Sequence, residues 1–478
     1  MATLLQRLRE TAGGPGRLRV VVLLAAALSS AAGVQTIAAA VAPDLKQALG
    51  IDNVQIGLLV TAASLMGAAT TLPFGLLADR VPRVRLLAGC VVLWSTAIVI
   101  EGSAQSYGMV LAAQLLLGAG IGAATPVVAS LTGDLFPPAD RGRVFGLILA
   151  GEFAGAAVGL LVAGEIAALW SWRGSFWLLA IPSLLLAVLL LRLLPEPVRG
   201  GMGELPAPVE VGEIRSGTVS LAQLTTDAGV EPNPALVLTE DPTNKSLRWA
   251  VRYVLSIRSN VLLIVASALA YYYTAGMQTF AVVFLRGRFD LGQGIATALL
   301  VVIGLGVITG TLVTGPLSDR FIARGRIAAR PIAGGLSCLA AVIFFVPGFF
   351  AVSLAISLPL FFLGSAGIGG ANPPLDAARL DIMHSRLWGR AESVRNFLQT
   401  LLKSSAPLVF GWLSGVLSPA GDNPDQVQGG GAIGLDRAFL VMLVVLAVAA
   451  GILLLAARRW YPRDVATAIA SERATRAG

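Results

Sequence analysis

Gly75-Leu76-Leu77-Ala78-Asp79-Arg80-Val81-Pro82-Arg83-Val84-Arg85 is a short charged turn between two long apolar runs. It returns 240 residues later as Gly315-Pro316-Leu317-Ser318-Asp319-Arg320, followed by Arg324 and Arg326, again between apolar runs. Recurrence at half the chain length marks an internal duplication. In each copy the glycine allows close helix approach, the Asp-Arg pair ends an apolar helix, and the later arginines hold a tight turn. One copy alone is equally well an ordinary basic loop at a membrane surface. Two copies at matching places argue for a duplicated, working turn.

The flanking runs set the class. The 478-residue chain is 56% hydrophobic and 13% charged, against about 25% charge in a soluble protein. Its apolar residues fall into blocks of roughly 20, the length of a membrane-crossing helix. There are twelve blocks: 18–42, 54–78, 86–104, 108–133, 142–166, 174–194, 259–284, 293–318, 327–348, 350–375, 391–417 and 435–457. They lack the alternation of outer-membrane strands. The fold expected is all-α, with twelve transmembrane helices in two pseudo-symmetric six-helix bundles.

The net charge of +8 does not point to nucleic acid, because the basic residues are placed by side. With the N-terminus inside, the inner loops and tails hold Arg7, Arg9, Arg17, Arg19, the signature arginines, Arg141, Arg143, Arg330, Arg386 and Arg390. The outer loops hold Lys46, Arg173, Arg286, Arg288 and Arg437. That asymmetry puts both termini in the cytoplasm. Arginine far outnumbers lysine, a bias of GC-rich bacterial genomes, which suggests the plasma (inner) membrane. Cys90 and Cys338 lie inside apolar blocks, so no disulfide framework is indicated. The first block follows basic residues without a small-residue cleavage site and reads as a retained span.

The turn resembles the signature loop of the major facilitator superfamily of secondary transporters, Gly-x-x-x-Asp-Arg-x-Gly-Arg-x-Arg/Lys. Gly75, Asp79, Arg80, Arg83 and Arg85 match, and Pro82 replaces the second glycine. Gly315, Asp319 and Arg320 match in the second copy. Further segments resemble the Spinster-type branch, which includes lysophospholipid and sphingosine-phosphate exporters. They are Gly133-Asp134-Leu135-Phe136-Pro137, Arg141-Gly142-Arg143, Trp172-Arg173 with Phe176, Leu194-Pro195-Glu196-Pro197 and Leu387-Trp388-Gly389-Arg390-Ala391. The branch's Asp-Arg pair in span one is Val34-Gln35 here, and its span-four glutamate is Ile121. Proton coupling at those positions therefore does not carry over. The resemblance implies alternating access, with spans one, four, seven and ten lining a cavity. It also implies gating by Gly75, Asp79, Arg80 and Arg83 and by Gly315, Asp319 and Arg320. Asp79 is expected to face the helix start at 389–391, and Asp319 the segment 141–143.

The candidate cargo and coupling residues are polar groups at membrane depth. Gln35-Thr36-Ile37-Ala38 and Gln278-Thr279-Phe280-Ala281 are a second repeat pair, and Tyr272 lies beside the latter. Glutamine offers neutral donors and acceptors to cargo, or to a neighbouring helix. Gln114 opens span four, whose Gly118-x-Gly120-x-Gly122 has no preceding strand and reads as helix packing, not a nucleotide loop. Glu152 lies near mid-depth in span five, where a carboxylate faces a cavity or a partner. Lys403, with Gln399 and Asn396 on the same helical face, lies at matching depth in span eleven. Lys403 is expected to oppose Glu152 or to receive an anionic headgroup. Glu101, Glu165, Asp376 and Arg379 read as interfacial. The glycine ridges Gly151, Gly155, Gly159 and Gly306, Gly310 are expected at a sliding contact between spans five and eight.

The domain boundaries expected are 1–195 for the first bundle, 196–258 for a cytoplasmic linker, 259–460 for the second bundle and 461–478 for a cytoplasmic tail. The linker's composition reads as disordered to about 244. A basic amphipathic helix then follows, suited to the inner membrane surface. No catalytic set, metal cluster or phosphate loop is visible, so no enzyme activity, metal, cofactor or nucleic-acid partner is expected, and a proton gradient stays open. The function expected is secondary active transport of an amphipathic or hydrophobic molecule, lipid or drug, moved outward by a chain working as a monomer among membrane lipids. A sugar or metabolite facilitator and a non-transporting sensor are the alternatives.

Overall fold

The computed structural model describes residues 15–78, 81–136, 138–196, 221–242, 245–419 and 430–477. Its described residues are mostly helical. The first six spans are α1 (Pro15–Ala40), α3 (Asn53–Ala78), α4 (Arg83–Gly102), α5 (Tyr107–Leu135), α6 (Pro138–Leu169) and α7 (Trp172–Leu193), with the short α2 (Ala42–Leu49) after α1. The linker holds α8 (Leu221–Asp227) and α9 (Leu247–Ser256). Spans seven to ten are α10 (Arg258–Phe289), α11 (Gln293–Ala323), α12 (Ala329–Phe350) and α13 (Leu354–Asp381). Span eleven is split into α14 (Trp388–Ser404) and α15 (Ala406–Val416); α16 (Gly430–Arg459) is span twelve, and α17 (Tyr461–Ala477) follows.

Eleven of these helices are long and apolar enough to cross a membrane. Span eleven makes the twelfth crossing in two pieces of 17 and 11 residues. Pro407 explains the break, because it has no N–H to give to the carbonyl of Lys403, one turn back.

The duplication is visible in the seams. Gly67, Gly118 and Gly122 bring α3 and α5 into backbone contact, and the Thr71 hydroxyl donates across that seam to the Gly122 carbonyl at 3.0 Å. In the second repeat Gly306, Gly310 and Gly369 do the same for α11 and α13, and Thr311 donates to Gly369 at 3.1 Å. Small residues let backbones approach where lipid provides no hydrophobic drive between helices. The glutamine repeats also match: Gln35 and Gln278 are exposed on their helices, while Ile37 and Phe280 are fully buried.

The chain divides into two compact units, Met1–Ile214 with Thr279–Ala298 and Pro407–Ile433, and Arg215–Gln278 with Leu299–Ala406 and Gly434–Gly478. The core of the second is aromatic: Tyr273 and Phe349 both sit against Phe439, and Phe349 against Phe361 at 5.1 Å.

The linker corrects a compositional expectation. Residues 221–242 are not disordered; they form α8 and a strap docked on α17. Backbone N–H groups of Asn233 and Leu238 donate to the hydroxyls of Thr467 and Ser471 at 2.8 and 3.0 Å. Asp241 pairs with Arg386, before span eleven. The Tyr253 hydroxyl donates to the Leu236 carbonyl at 2.8 Å, and burial pushes this phenol up to about 12. The amphipathic α9 turns Ala250 and Val254 inward and packs on α14, leaving Arg248 and Arg252 exposed. Residues 197–220 lie outside the described residues. Side-chain bonds from a distant helix, invisible to local composition, hold the strap. Thr467→Val with Ser471→Ala removes both acceptors, and each lost bond costs about 1–2 kcal/mol. Amide exchange of Asn233 and Leu238 should accelerate about tenfold or more; unchanged exchange would mean that the hydroxyls do not hold the strap.

Candidate functional site

Glu152 sits near the middle of α6 and is half-buried. Its neighbour Gly151 lies against Ala25 of α1. Gly155 and Gly159 meet Ser29 and Gly33 of α1, and Thr36 donates to the Gly33 carbonyl at 2.7 Å. The α6 glycine ridge therefore closes on span one, and Gly306 and Gly310 close on span ten. Neither forms the expected contact between spans five and eight. Glycine spacing shows that a helix face is approached closely, not by which helix. Gln114 is buried in α5 at 3% exposure, whereas Gln35 is exposed on α1.

In the second unit the polar groups gather where span eleven breaks. Lys403, in the last turn of α14, places its ammonium 5.9 Å from the ring centroid of Tyr271, a cation–π distance. Tyr272, the next residue on α10, lies near Ser405, the residue between α14 and α15. Two turns back, Arg395 donates to Asn396 at 2.7 Å and also to Gln399. Gln399 is buried and Asn396 exposed. Gln278 is exposed, one and a half turns beyond Tyr272 on α10. Arg395 is the residue that sequence reasoning missed. Its signal was available: it lies one turn before Gln399 and two before Lys403.

The signature loops are partly described. Asp79 and Arg80 lie outside the described residues, and Gly75 lies in the last turn of α3. Arg83 opens α4, is buried, and donates to the Ser130 hydroxyl at 2.9 Å. The Glu196 carboxylate accepts from the backbone N–H groups of Arg83 and Val84, both at 2.8 Å. An anion at a helix N-terminus is stabilised by the exposed amides and the dipole. This joins the loop to the Leu-Pro-Glu-Pro segment after span six. In the second copy Arg330, in the first turn of α12, pairs with Asp319 at 3.1 Å and with Asp381, and Tyr461 donates to Asp381 at 2.7 Å. The side chains at 141–143, expected opposite Asp319, lie outside the described ones. Gly315 lies against Pro373, and Arg320 is exposed at the end of α11.

Glu101 lies in the last turn of α4, at the end of its span. Glu101 is 1% exposed, and neither carboxylate oxygen has a hydrogen-bond partner among the described residues. Gly102 brings Trp177 over this last turn of α4, and Arg173 reaches across to the Ala104 carbonyl at 3.0 Å. Arg379 is also buried, paired with Asp376.

The family model described as Major Facilitator Superfamily matches residues 23–407. A 3-(3-hydroxy-phenyl)propionate transporter of Escherichia coli (strain K12) is 26% identical over 357 residues, 72% of this chain and 79% of the relative. The puromycin resistance protein pur8 of Streptomyces alboniger is 33% identical over 160 residues, 33% of this chain and 32% of the relative. Among solved structures, a bacterial homologue of the human lysosomal transporter Spinster, inward-facing and unoccupied, superposes with a TM-score of 0.73 at 20% identity, covering 93% of this chain and 98% of that one. At that identity the likeness speaks for the fold. Twelve spans in two repeats, a duplicated charged turn and a family match across most of the chain agree: this multi-pass membrane protein belongs to the Major Facilitator Superfamily, and it is a transporter of small molecules, not an enzyme.

Proposed function

We propose that this transporter exports small amphipathic molecules that carry an anionic group, by alternating access in the plasma membrane, as a monomer with both termini in the cytoplasm. The observation that supports it most is Lys403: a cation at mid-span, over the Tyr271 ring and beside the break in span eleven. An aromatic face and an ammonium, with the Arg395 guanidinium two turns back on the same helix, suit a molecule with one apolar and one anionic end. Discontinuous helices form cargo sites in transporters, because unwound backbone can be tolerated where it lines a cavity. The aromatic acid named in the E. coli relative has this chemistry, as does a lysophospholipid. Outward movement takes its support from the drug-resistance relative. Gln35, Gln278, Gln114, Tyr272, Gln399 and Asn396 supply neutral hydrogen bonds to cargo. Glu152 is the coupling or cargo-binding carboxylate, and the loops at Asp79 and Asp319 close the inner side.

The Arg395–Asn396–Gln399 group also favours a second reading, a facilitator of polar sugar acids. Uptake into proteoliposomes separates the two. The panel is an arylpropionate, a lysophospholipid, a hexuronate and a neutral drug, each with and without a pH gradient. Amphipathic anions should move, and Glu152→Gln should abolish the effect of the pH gradient while protein yield is kept. Movement of the hexuronate alone would overturn the amphipathic assignment. An unaltered pH response in Glu152→Gln would remove that residue from coupling.

A further inference from the structure

At the end opposite the N-terminus, helices of the two repeats meet within the first compact unit, and the seam is polar. Arg286, in the last turn of α10, donates to Asp44 of α2 at 3.2 Å and to Gln293 of α11 at 2.9 Å. Gln293 in turn donates to the Ala40 carbonyl, the last residue of α1. A second chain of bonds runs beside it. Lys46 of α2 donates to Asn53 at 2.7 Å, and Asn53 donates to Ser414 of α15 at 3.0 Å. These three are buried, at 3%, 4% and 1% exposure.

The surrounding contacts are made by small residues. Gly57 of α3 lies against the Pro407 backbone, and Gly411 of α15 against Asn53 and Val54. Gly164 of α6 meets Thr297, and Gly294 meets Glu165. A seam of this kind is closed by hydrogen bonds that water can replace when it opens, so each bond contributes only about 0.5–1.5 kcal/mol net. A seam of interlocked leucines would instead expose apolar surface at about 25 cal/mol per Å². Small residues and exchangeable polar links are what a contact needs if it must form and break in every transport cycle.

We propose that Asp44–Arg286–Gln293 and Lys46–Asn53–Ser414 are the two arms of the outer gate, closed in this structure and released when the cargo site opens outward. This rests on the transport reading above. The two arms differ: the first is charged and part-exposed, and so weakens with salt, while the second is buried and does not.

The test is a distance. Spin labels are placed at Leu169 and Ile295, which are 85% and 58% exposed beside the seam, in a Cys90→Ala, Cys338→Ala background. Double electron–electron resonance then gives the separation across the gate in nanodiscs. Asn53→Ala and Arg286→Gln should each add a longer-distance population and raise the open-to-closed ratio on the order of fivefold. Arg286→Lys should restore much of the closed population. Salt should open the Asn53→Ala protein, which keeps the charged arm, more than the Arg286→Gln protein. Distance distributions identical to the parent in folded variants would overturn the gate. Arylpropionate and lysophospholipid uptake is measured in parallel. Absent uptake with shifted distances would sink the cargo assignment and leave the gate standing, and the converse would do the opposite.

Discussion

Replacing Lys403 with glutamine should cut transport of an anionic amphipath by roughly ten- to a hundredfold at limiting concentration, mainly through KM. The reasoning is local. The ammonium lies 5.9 Å from the Tyr271 ring centroid, one residue from the end of α14. A charge-assisted contact to cargo in such a place is worth about 1.5–3 kcal/mol, and each 1.4 kcal/mol is a factor of ten in affinity. Glutamine is one atom shorter but keeps a hydrogen-bond donor, so what it chiefly removes is the charge. Lys403→Arg keeps the charge and should retain most of the affinity. A neutral drug, if carried, should be indifferent to both changes. Equal transport of the anionic cargo by the parent and Lys403→Gln would take the cation out of recognition. A collapse in protein yield would assign Lys403 to structure, and Lys403→Arg would then fail as well.

Much of this architecture was legible because it was written twice. The Thr71–Gly122 and Thr311–Gly369 bonds lie in duplicated segments, and the glutamine repeats have matching burial. What was not legible depends on partners distant in sequence. Gly155 announces a close approach, but only the fold shows that Ser29 is its neighbour. The polar segment around Asn233 reads as unstructured until Thr467, more than two hundred residues later, accepts its amide. Glu101 reads as interfacial from its place near a helix end, but only the fold shows that it is buried there, beside a Gly102 that the Trp177 indole covers. At the candidate site, depth pointed to Glu152 and Lys403. Arg395 does not stand out, because an arginine near the start of a span reads first as a positive-inside residue.

Gly310→Ala and Gly118→Ala should be among the most damaging single-methyl changes in the protein, and the sign of the effect makes the test sharp. In an open helix interior alanine is favoured over glycine by about 1 kcal/mol. Gly304 and Gly451 have nothing within 4 Å of an added Cβ, so alanine there should leave stability unchanged or raise it. At Gly310 the new Cβ runs into the Ala366 carbonyl and lies 2.8 Å from the Gly370 amide nitrogen. At Gly118 it runs into the Ala63 carbonyl and lies 2.9 Å from the Ala63 Cα. Both obstacles are backbone, which no rotamer change can move aside. The helices must separate, lengthening the Thr311–Gly369 and Thr71–Gly122 bonds that stitch the same seams. Overpacking of this kind costs about 1–3 kcal/mol or more, opposite in sign to the propensity gain. Thermal unfolding of the purified protein, followed by tryptophan fluorescence, should therefore drop for Gly310→Ala and Gly118→Ala and stay level or rise for Gly304→Ala and Gly451→Ala. If all four variants melt together, the two glycine seams do not set the stability of the repeats.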